Sequence, residues 1–385
     1  MEKEMRRAVS VSGADYVEVR VEESITTSVV YVGKELERIG ESSSLGGCVR
    51  AAVRGGWGFA SFNNLDDLQS KVKRAVSMAQ QVGRDETRLT VQEPYEEIRM
   101  TSPERDPREV SLEEKHDTAA KYNRIILDAP GIQTTHVRYE DRWKRKFFAN
   151  SEGTFTSFEE VFCGLSLAAI ARADNIVQTY RHSHGNLGGF EKVLGWEEDA
   201  EDAARCAAEL VRADPVKGGT ETVLMDPILT GIFVHEAFGH LSEGDFLYEN
   251  PRLREVMQLG RRFGPEELNI VDQGDYPHAG YNPFDDEGTP TKKNYLIREG
   301  KLVGRLHSRE TATKMGEEPT GNARAISYHF PPIVRMTNTF IEAGEVSFEE
   351  MLAGIDKGVY VKNAVAGMTN CEMFTFTGME AFEIN

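Results

Sequence analysis

An α+β fold is predicted for this chain from three observations. Residues 1–83 read as a mixed α/β unit of sheet and covering helices. Residues 108–213 hold a meander of antiparallel strands with helices at either end, and residues 218–385 read as mainly β around one or two helices, one of which bears two histidines. Residues 84–107, rich in Pro, Glu, Arg and Thr, read as a connector. A chain of 385 residues is long enough for two or three domains and a sizeable core.

The elements follow in order. Residues 2–12 form a short helix with Met5, Ala8 and Val9 inward. Residues 16–22 alternate strictly between apolar and polar, the period of a strand, and 25–31 is its expected antiparallel neighbour. Segments 36–39, 48–53 and 58–62 extend the sheet. Gly46-Gly47 and Gly55-Gly56 read as turns, since no Gly-Lys-Ser/Thr follows either pair to make a phosphate loop. Asn64 is expected to cap a helix to about Val82, carried by Leu65, Leu68, Val72, Ala75, Val76 and Ala79. Ser111 to Glu114 is a capping box that opens a helix to about Leu127. After the Pro130-Gly131 turn, strands are expected at 134–141, 144–150, 154–162 and 163–173, then a helix over 196–213. Asp214 to Gly219 marks a boundary. Beyond it come a strand at 221–225, the histidine-bearing helix at 227–241, and a loop-rich stretch, 246–283, suited to a lid or substrate wall. Residues 295–304 read as a hairpin with Glu299-Gly300 in the turn. Strands at 333–341, 358–361 and 372–376 and a short helix at 347–354 complete the chain.

Composition narrows the function classes. The formal net charge of −18 gives no general attraction for nucleic acid. The one basic cluster, Arg142 to Lys146, reads as a solvated strand face. Four dispersed cysteines without a C-x-x-C pair argue against a disulfide scaffold or a cysteine-rich zinc module. The charged first residues lack the apolar core of a signal peptide, and no 18-residue apolar run is present. No membrane span is expected, and the expected location is the cytoplasm.

The chemistry concentrates in His235-Glu236-Ala237-Phe238-Gly239-His240. Imidazole is a good zinc ligand, and a carboxylate beside the metal can take a proton from an activated water. The familiar zinc helix spaces its histidines by four. Here they are five apart, about 140° around a regular helix at roughly 100° per residue. The helix must therefore be overwound, bulged or ended near Gly239, where glycine relaxes the backbone limits.

The hexamer and the residues after it, Leu241-Ser242-Glu243-Gly244-Asp245, resemble the signature of the TldD/PmbA family on its TldD side. Asp285-Asp286-Glu287-Gly288-Thr289-Pro290, Thr320 to Arg324, Pro331 to Thr339 and the N-terminal glycine-rich stretch (Gly46, Gly47, Gly55, Gly56, Gly58) resemble family segments in the same order. The resemblance implies a zinc-dependent peptidase with His235 and His240 as ligands and Glu236 as general base. It implies peptide substrates, unfolded or modified, and a homodimer or a heterodimer with a TldE/PmbA-like subunit. TldD-type members carry a further zinc cysteine near the C-terminus. Its segment is expected beyond Asn385, with Cys371 a small apolar strand residue instead. Two rival classes remain: a non-catalytic scaffold subunit, and a metal-dependent amidohydrolase acting on small molecules.

Other candidates are weaker. Glu243 and Asp245 read as support for the ligands rather than as ligands. His307 and His329 read as structural imidazoles or substrate-orienting groups. His182 and His184 would share a strand face but precede a loop outside the catalytic half, and they are not expected to be ligands. Asp285, Asp286 and Glu287 suit a hard cation or a plain acidic turn equally.

Overall fold

The computed structural model describes residues 1–10, 13–83, 88–369 and 374–385. Its N-terminal half is built on one seven-stranded sheet. In chain order the elements are α1 (Glu2–Val9), β1 (Tyr16–Val32), β2 (Glu35–Val53), β3 (Gly56–Phe62), α2 (Leu68–Val82), β4 (Glu96–Arg99), α3 (Leu112–Leu127), β5 (Ile132–Asn150), β6 (Phe155–Ala173), β7 (Ile176–Leu187) and α4 (Glu197–Leu210). The strands run β3-β2-β1-β5-β6-β4, with β7 also on β6.

The strands are longer than their sequence signals. Segments 16–22 and 25–31 are one strand, because residues 23 and 24 carry no Gly or Pro and pair onward with Leu45 and Ser44. The turn comes at Gly33, whose φ of 57° suits glycine. The expected pairs within 134–150 and within 154–173 are likewise the single strands β5 and β6. Gly46 and Gly47 are not a turn. They lie mid-strand in β2, where a Cβ on Gly46 would stand 2.2 Å from the Tyr328 ring and one on Gly47 2.4 Å from the Arg20 carbonyl. Glycine here admits neighbours against the sheet. Arg54 and Gly55, both at positive φ, make the expected turn before β3.

Two apolar cores lie along this sheet. Met5, Ala8 and Val9 of α1 and Val72, Ala75 and Ala79 of α2 pack on Val17, Val19 and Val21 of β1. Tyr122 and Ile126 of α3 and Ala203 and Ala207 of α4 pack on Val29 of β1 with Tyr139 and Leu167. β1 thus serves both cores. The cap of α2 is Asp67, which accepts from Ser70 N, while Asn64 binds Lys71 instead. Ser111 caps α3 as expected.

The C-terminal half holds β8 (Val223–Met225), α5 (Pro227–Val234), α6 (Gly244–Glu249), α7 (Pro251–Val256), β9 (Ile270–Gln273), β10 (Lys293–Arg298), β11 (Lys301–Leu302), α8 (Arg309–Met315), β12 (Ala323–Arg324), β13 (Ile333–Val334), β14 (Thr339–Ile341), α9 (Phe348–Ala353), β15 (Gly358–Thr369) and β16 (Phe374–Ile384). Small sheets β11-β10-β9-β14 and β16-β15-β8 flank α5. The Glu299-Gly300 turn is present, with both φ positive. The expected strand 333–341 is split into β13 and β14. Buried Asp272 draws in Thr337 N, Thr337 Oγ1 and Thr339 Oγ1, each at 2.7 Å, and bends the chain between them. Among the described residues, no helix is long and apolar enough to cross a membrane.

A buried ionic joint connects the halves. Asp286 pairs with Arg20 of β1 at 2.8 Å and Lys146 of β5 at 2.9 Å. Glu287 pairs with Arg50 of β2 at 3.2 Å, and Arg50 also pairs with Glu18. Asp285 accepts the backbone N–H groups of Glu287, Thr289 and Ala323. These carboxylates are spoken for by protein donors, so the stretch is an acidic turn rather than a cation cage. The Arg142 to Lys146 cluster is no solvated face either. Lys144 pairs with Glu22, Lys146 with Asp286, Arg142 with Glu160, and Trp143 is buried.

Candidate metal centre

The two histidines meet because α5 changes its winding. Asp226 caps α5 by accepting Leu229 N at 2.8 Å, and Pro227 opens it. At His235 the helix widens into a single π turn, His235–Gly239, closed by the His240 N–H on the His235 carbonyl. An i to i+5 bond returns the chain to the same side after five residues rather than four. A 3₁₀ turn, His240–Ser242, then ends the helix. The imidazole centroids are 4.6 Å apart and nearly perpendicular, at 83°. Of the three expected departures from a regular helix, the chain uses the bulge and the end.

The reason for Gly239 differs from the expected one. Its φ of −59° is ordinary helical backbone. A Cβ there would lie 1.9 Å from Met336 Sδ, so glycine is required by packing, not by backbone freedom.

Partners of the three central residues are now visible. His240 Nδ1 donates to Glu243 Oε1 at 3.2 Å, and Glu243 Oε2 receives Arg335 at 2.8 Å. That bond raises the His240 pKa above the ordinary value, ahead of the opposing effect of burial. It also leaves Nε2 as the nitrogen without this partner, the arrangement of a carboxylate-oriented metal ligand. His235 is half-buried, and burial, then the neighbouring His240, lowers its pKa toward the neutral form. Glu236 is buried. Thr369 Oγ1 of β15 reaches its backbone carbonyl, at 2.8 Å, and its carboxylate Oε2. A Cβ on Gly367 would come within 2.6 Å of Glu236 Cγ. β15 therefore lies directly over Glu236.

Two clefts open here. One of about 680 Å³ is lined by Glu236, His240, Glu243, Arg335 and Thr369. The other, about 630 Å³, is lined by His235, His240, Ile326, Phe330 and Arg335. His240 and Arg335 belong to both. A larger cleft of about 870 Å³ runs along residues 213–221 and β16 and contains none of these groups. Thr369, Gly367 and Arg335 were not singled out by sequence reasoning. Gly367, alone inside a strand, carried the one signal, since such a glycine often marks close approach.

Two imidazoles edge to face, one held by a carboxylate, match the donor chemistry of zinc. Among the described residues, no third His, Cys, Asp or Glu donor gathers with them into a group of three. Cys48, Cys163 and Cys206 are buried elsewhere. Burial pushes Cys48 and Cys206 up to about 11, so they stay thiols. Cys371 lies outside the described residues. His307 is a structural imidazole, with its ring nitrogens at 3.1 Å from Thr311 and 3.2 Å from Glu317. His329 is exposed beside Tyr328.

Family profiles match nearly the whole chain in three consecutive parts. Domain 1 of the PmbA/TldA metallopeptidases matches residues 17–79, their central domain residues 105–213, and their C-terminal domain residues 218–385. The chain belongs to the PmbA/TldD metallopeptidase family. It is 45% identical to a metalloprotease of Synechocystis sp. over 97% of this chain and 81% of that relative. It is 25% identical to a zinc metalloprotease TldD homolog of Saccharolobus solfataricus, over 97% and 83%. The fold is shared with TldE of Thermococcus kodakarensis at a TM-score of 0.82 and 20% identity, covering 100% of this chain and 87% of that one. It is shared too with a Thermotoga maritima protein described as a candidate modulator of a DNA gyrase, at 0.77 and 24%, covering 91% and 79%. Both likenesses concern the fold alone. As a family member the chain is a metallopeptidase, a metal-dependent hydrolase of peptide bonds.

Proposed function

We propose that this chain is a zinc-dependent, TldD-like peptidase in which His235 and His240 are metal ligands and Glu236 is the general base. The carrying observation is the π turn, which sets the two imidazoles 4.6 Å apart beside a buried glutamate on an open cleft. When bound, zinc would supply Lewis acidity toward the peptide carbonyl and the attacking water. The chain's own residues do the rest. Glu236 accepts a proton from the water and passes it to the leaving amine. Thr369 holds the Glu236 carboxylate, so its other oxygen is the one free to take the proton. Glu243 holds His240 in the tautomer that presents Nε2.

The substrate class we favour is unfolded or modified peptide, since two clefts of about 680 and 630 Å³ share His240 and Arg335 at the centre. The partner we favour is a second copy or a TldE/PmbA-like subunit, a reading that rests on family membership and the shared TldE fold. The chain is proposed to comprise three units, 1–83, 108–213 and 218–385, with the first two joined in one sheet. The test is metal content by elemental analysis beside cleavage of an unfolded peptide. Wild type should hold zinc and cleave, and Glu236→Gln should hold zinc without cleaving. Absence of zinc both from this chain and from a version extended at its C-terminus, each purified with zinc present, would sink the reading and favour a scaffold subunit.

A further inference from the structure

A second histidine pair gathers donors far from this centre in the sequence. His182 and His184, two positions apart on β7, fall on one face of the strand. The first turn of α4 sets Asp199 against that face. Asp199 Oδ1 is 3.3 Å from His184 Nε2 and 3.9 Å from His182 Nδ1. One donor atom from each of the three residues lies within 4.8 Å of the others, the one such gathering among the described residues. Four ligands at zinc distances of about 2.0–2.1 Å sit roughly 3.3 Å from one another, so a small closure of the group suffices.

The surroundings point the same way. His182 Nε2 donates to Asp202 Oδ2 at 2.8 Å, which turns the opposite nitrogen, Nδ1, toward Asp199. A carboxylate behind an imidazole is the usual support of a metal-bound histidine. Asp202 is fixed in turn by Arg205. The His184 ring is stacked on Trp196 with centroids 3.4 Å apart, and Trp196 is held through Nε1 to the Lys192 carbonyl at 2.8 Å. His184 Nε2 is buried and makes no aligned hydrogen bond, although a carboxylate oxygen lies beside it.

We propose that His182, His184 and Asp199 form a second divalent-cation site, distinct from the His235–His240 centre, which takes a zinc-type ion and fastens α4 to β7. Two imidazoles and one carboxylate suit zinc, cobalt or nickel over magnesium or calcium, which take oxygen ligands. The site is placed to stiffen more than its own helix. Tyr180, packed on His182, donates to Glu380 of β16 at 2.8 Å. Asn363 of β15 donates to the Arg181 carbonyl at 2.7 Å. The hairpin lying over Glu236 therefore rests on the strand that would carry the ion.

The test is made in the full chain with His235→Ala and His240→Ala together, which silences the other centre whether or not that centre binds zinc. Isothermal titration with zinc chloride should show one equivalent bound in the micromolar range. Cobalt(II) should give the visible absorption of a low-coordinate nitrogen–oxygen site. Asp199→Asn and His184→Phe, added separately, should each weaken zinc at least about tenfold, the loss expected even for a supporting residue. Phe keeps the stack on Trp196 and Asn keeps the shape of Asp, and circular dichroism reports whether each variant stays folded. No saturable binding up to ~1 mM zinc, a 4 kcal/mol-scale affinity at best, would overturn the proposal. So would binding that neither folded variant weakens.

Discussion

Two short motifs of ionisable residues in this chain do opposite things. In Asp285-Asp286-Glu287 each carboxylate is closed by protein donors, with Arg20 and Lys146 on Asp286, Arg50 on Glu287, and backbone N–H groups on Asp285. In His235-Glu236…His240 the polar groups are held on one side only, by Thr369 and Glu243, and face clefts on the other. Buried charge with every partner supplied is architecture. Buried charge with spare capacity beside open volume is chemistry. The sequence ranks the hexamer above the acidic triad but leaves the triad open between a cation site and a plain turn, and its partners decide that.

Mutation should break this contrast cleanly. Glu236→Gln removes the proton acceptor and should lower the rate of peptide cleavage about 10²–10⁴-fold. Metal content and thermal unfolding should stay at wild-type levels, which elemental analysis and calorimetry would check. Asp286→Asn should do the reverse. It leaves Arg20 and Lys146 buried without their counter-charge and should cost about 3–5 kcal/mol. Denaturant unfolding would measure that loss, while turnover per folded molecule is kept.

The same aspartate gives a pH signature. Burial alone would raise its pKa, but Arg20 and then Lys146 outweigh burial and hold it well below the usual carboxylate range. A carboxyl depressed in the folded state contributes stability that is complete above its unfolded pKa, about 3.9. That contribution is lost as pH falls from there through the folded value. Denaturant midpoints taken from pH 5 downward should fall less steeply for Asp286→Asn than for wild type. An equal slope would mean that Asp286 is not the group carrying the acid sensitivity.

Smaller effects sharpen the open side of the comparison. Glu243→Gln keeps the shape but weakens the hold on His240 and on Arg335, and zinc affinity should drop about 10–100-fold. A chelator competition titration measures it. Gly239→Ala forces Met336 aside and should cost about 1–3 kcal/mol. If Gly239 served backbone freedom instead, alanine at this helical φ would be nearly neutral.

Much of this was legible in the sequence, for stated reasons. Strict alternation marked the start of β1, the Pro130-Gly131 turn placed β5 after it, Ser111 with Glu114 marked α3, and Glu299-Gly300 marked a turn that needs two positive φ angles. The histidine spacing required a departure from the regular helix, and the π turn is that departure. What escaped depended on distant partners. Strands read as pairs are continuous, because residues such as Glu22 and Lys144 face ion-pair partners and break the simple apolar pattern. Gly46-Gly47 looked like a turn because nothing local announces Tyr328. Thr369 meets Glu236 across 133 positions, and Asp199 reaches the His182–His184 pair from another element. No local window contains those meetings.

The antiparallel match of β1 with β5 has a consequence for synthesis. Glu18 pairs with Asn150 and Val32 with His136, so no part of that seam can form until the later strand has left the ribosome. At roughly 5–20 residues per second, the first strand waits on the order of ten seconds with that edge unclaimed. β2 can occupy the other edge early, because its partner residues are adjacent in the chain. The hairpin β1–β2 is thus the piece that nascent-chain chaperones would meet, and slowing translation between residue 54 and the emergence of β5 would prolong its exposure more than slowing it afterwards.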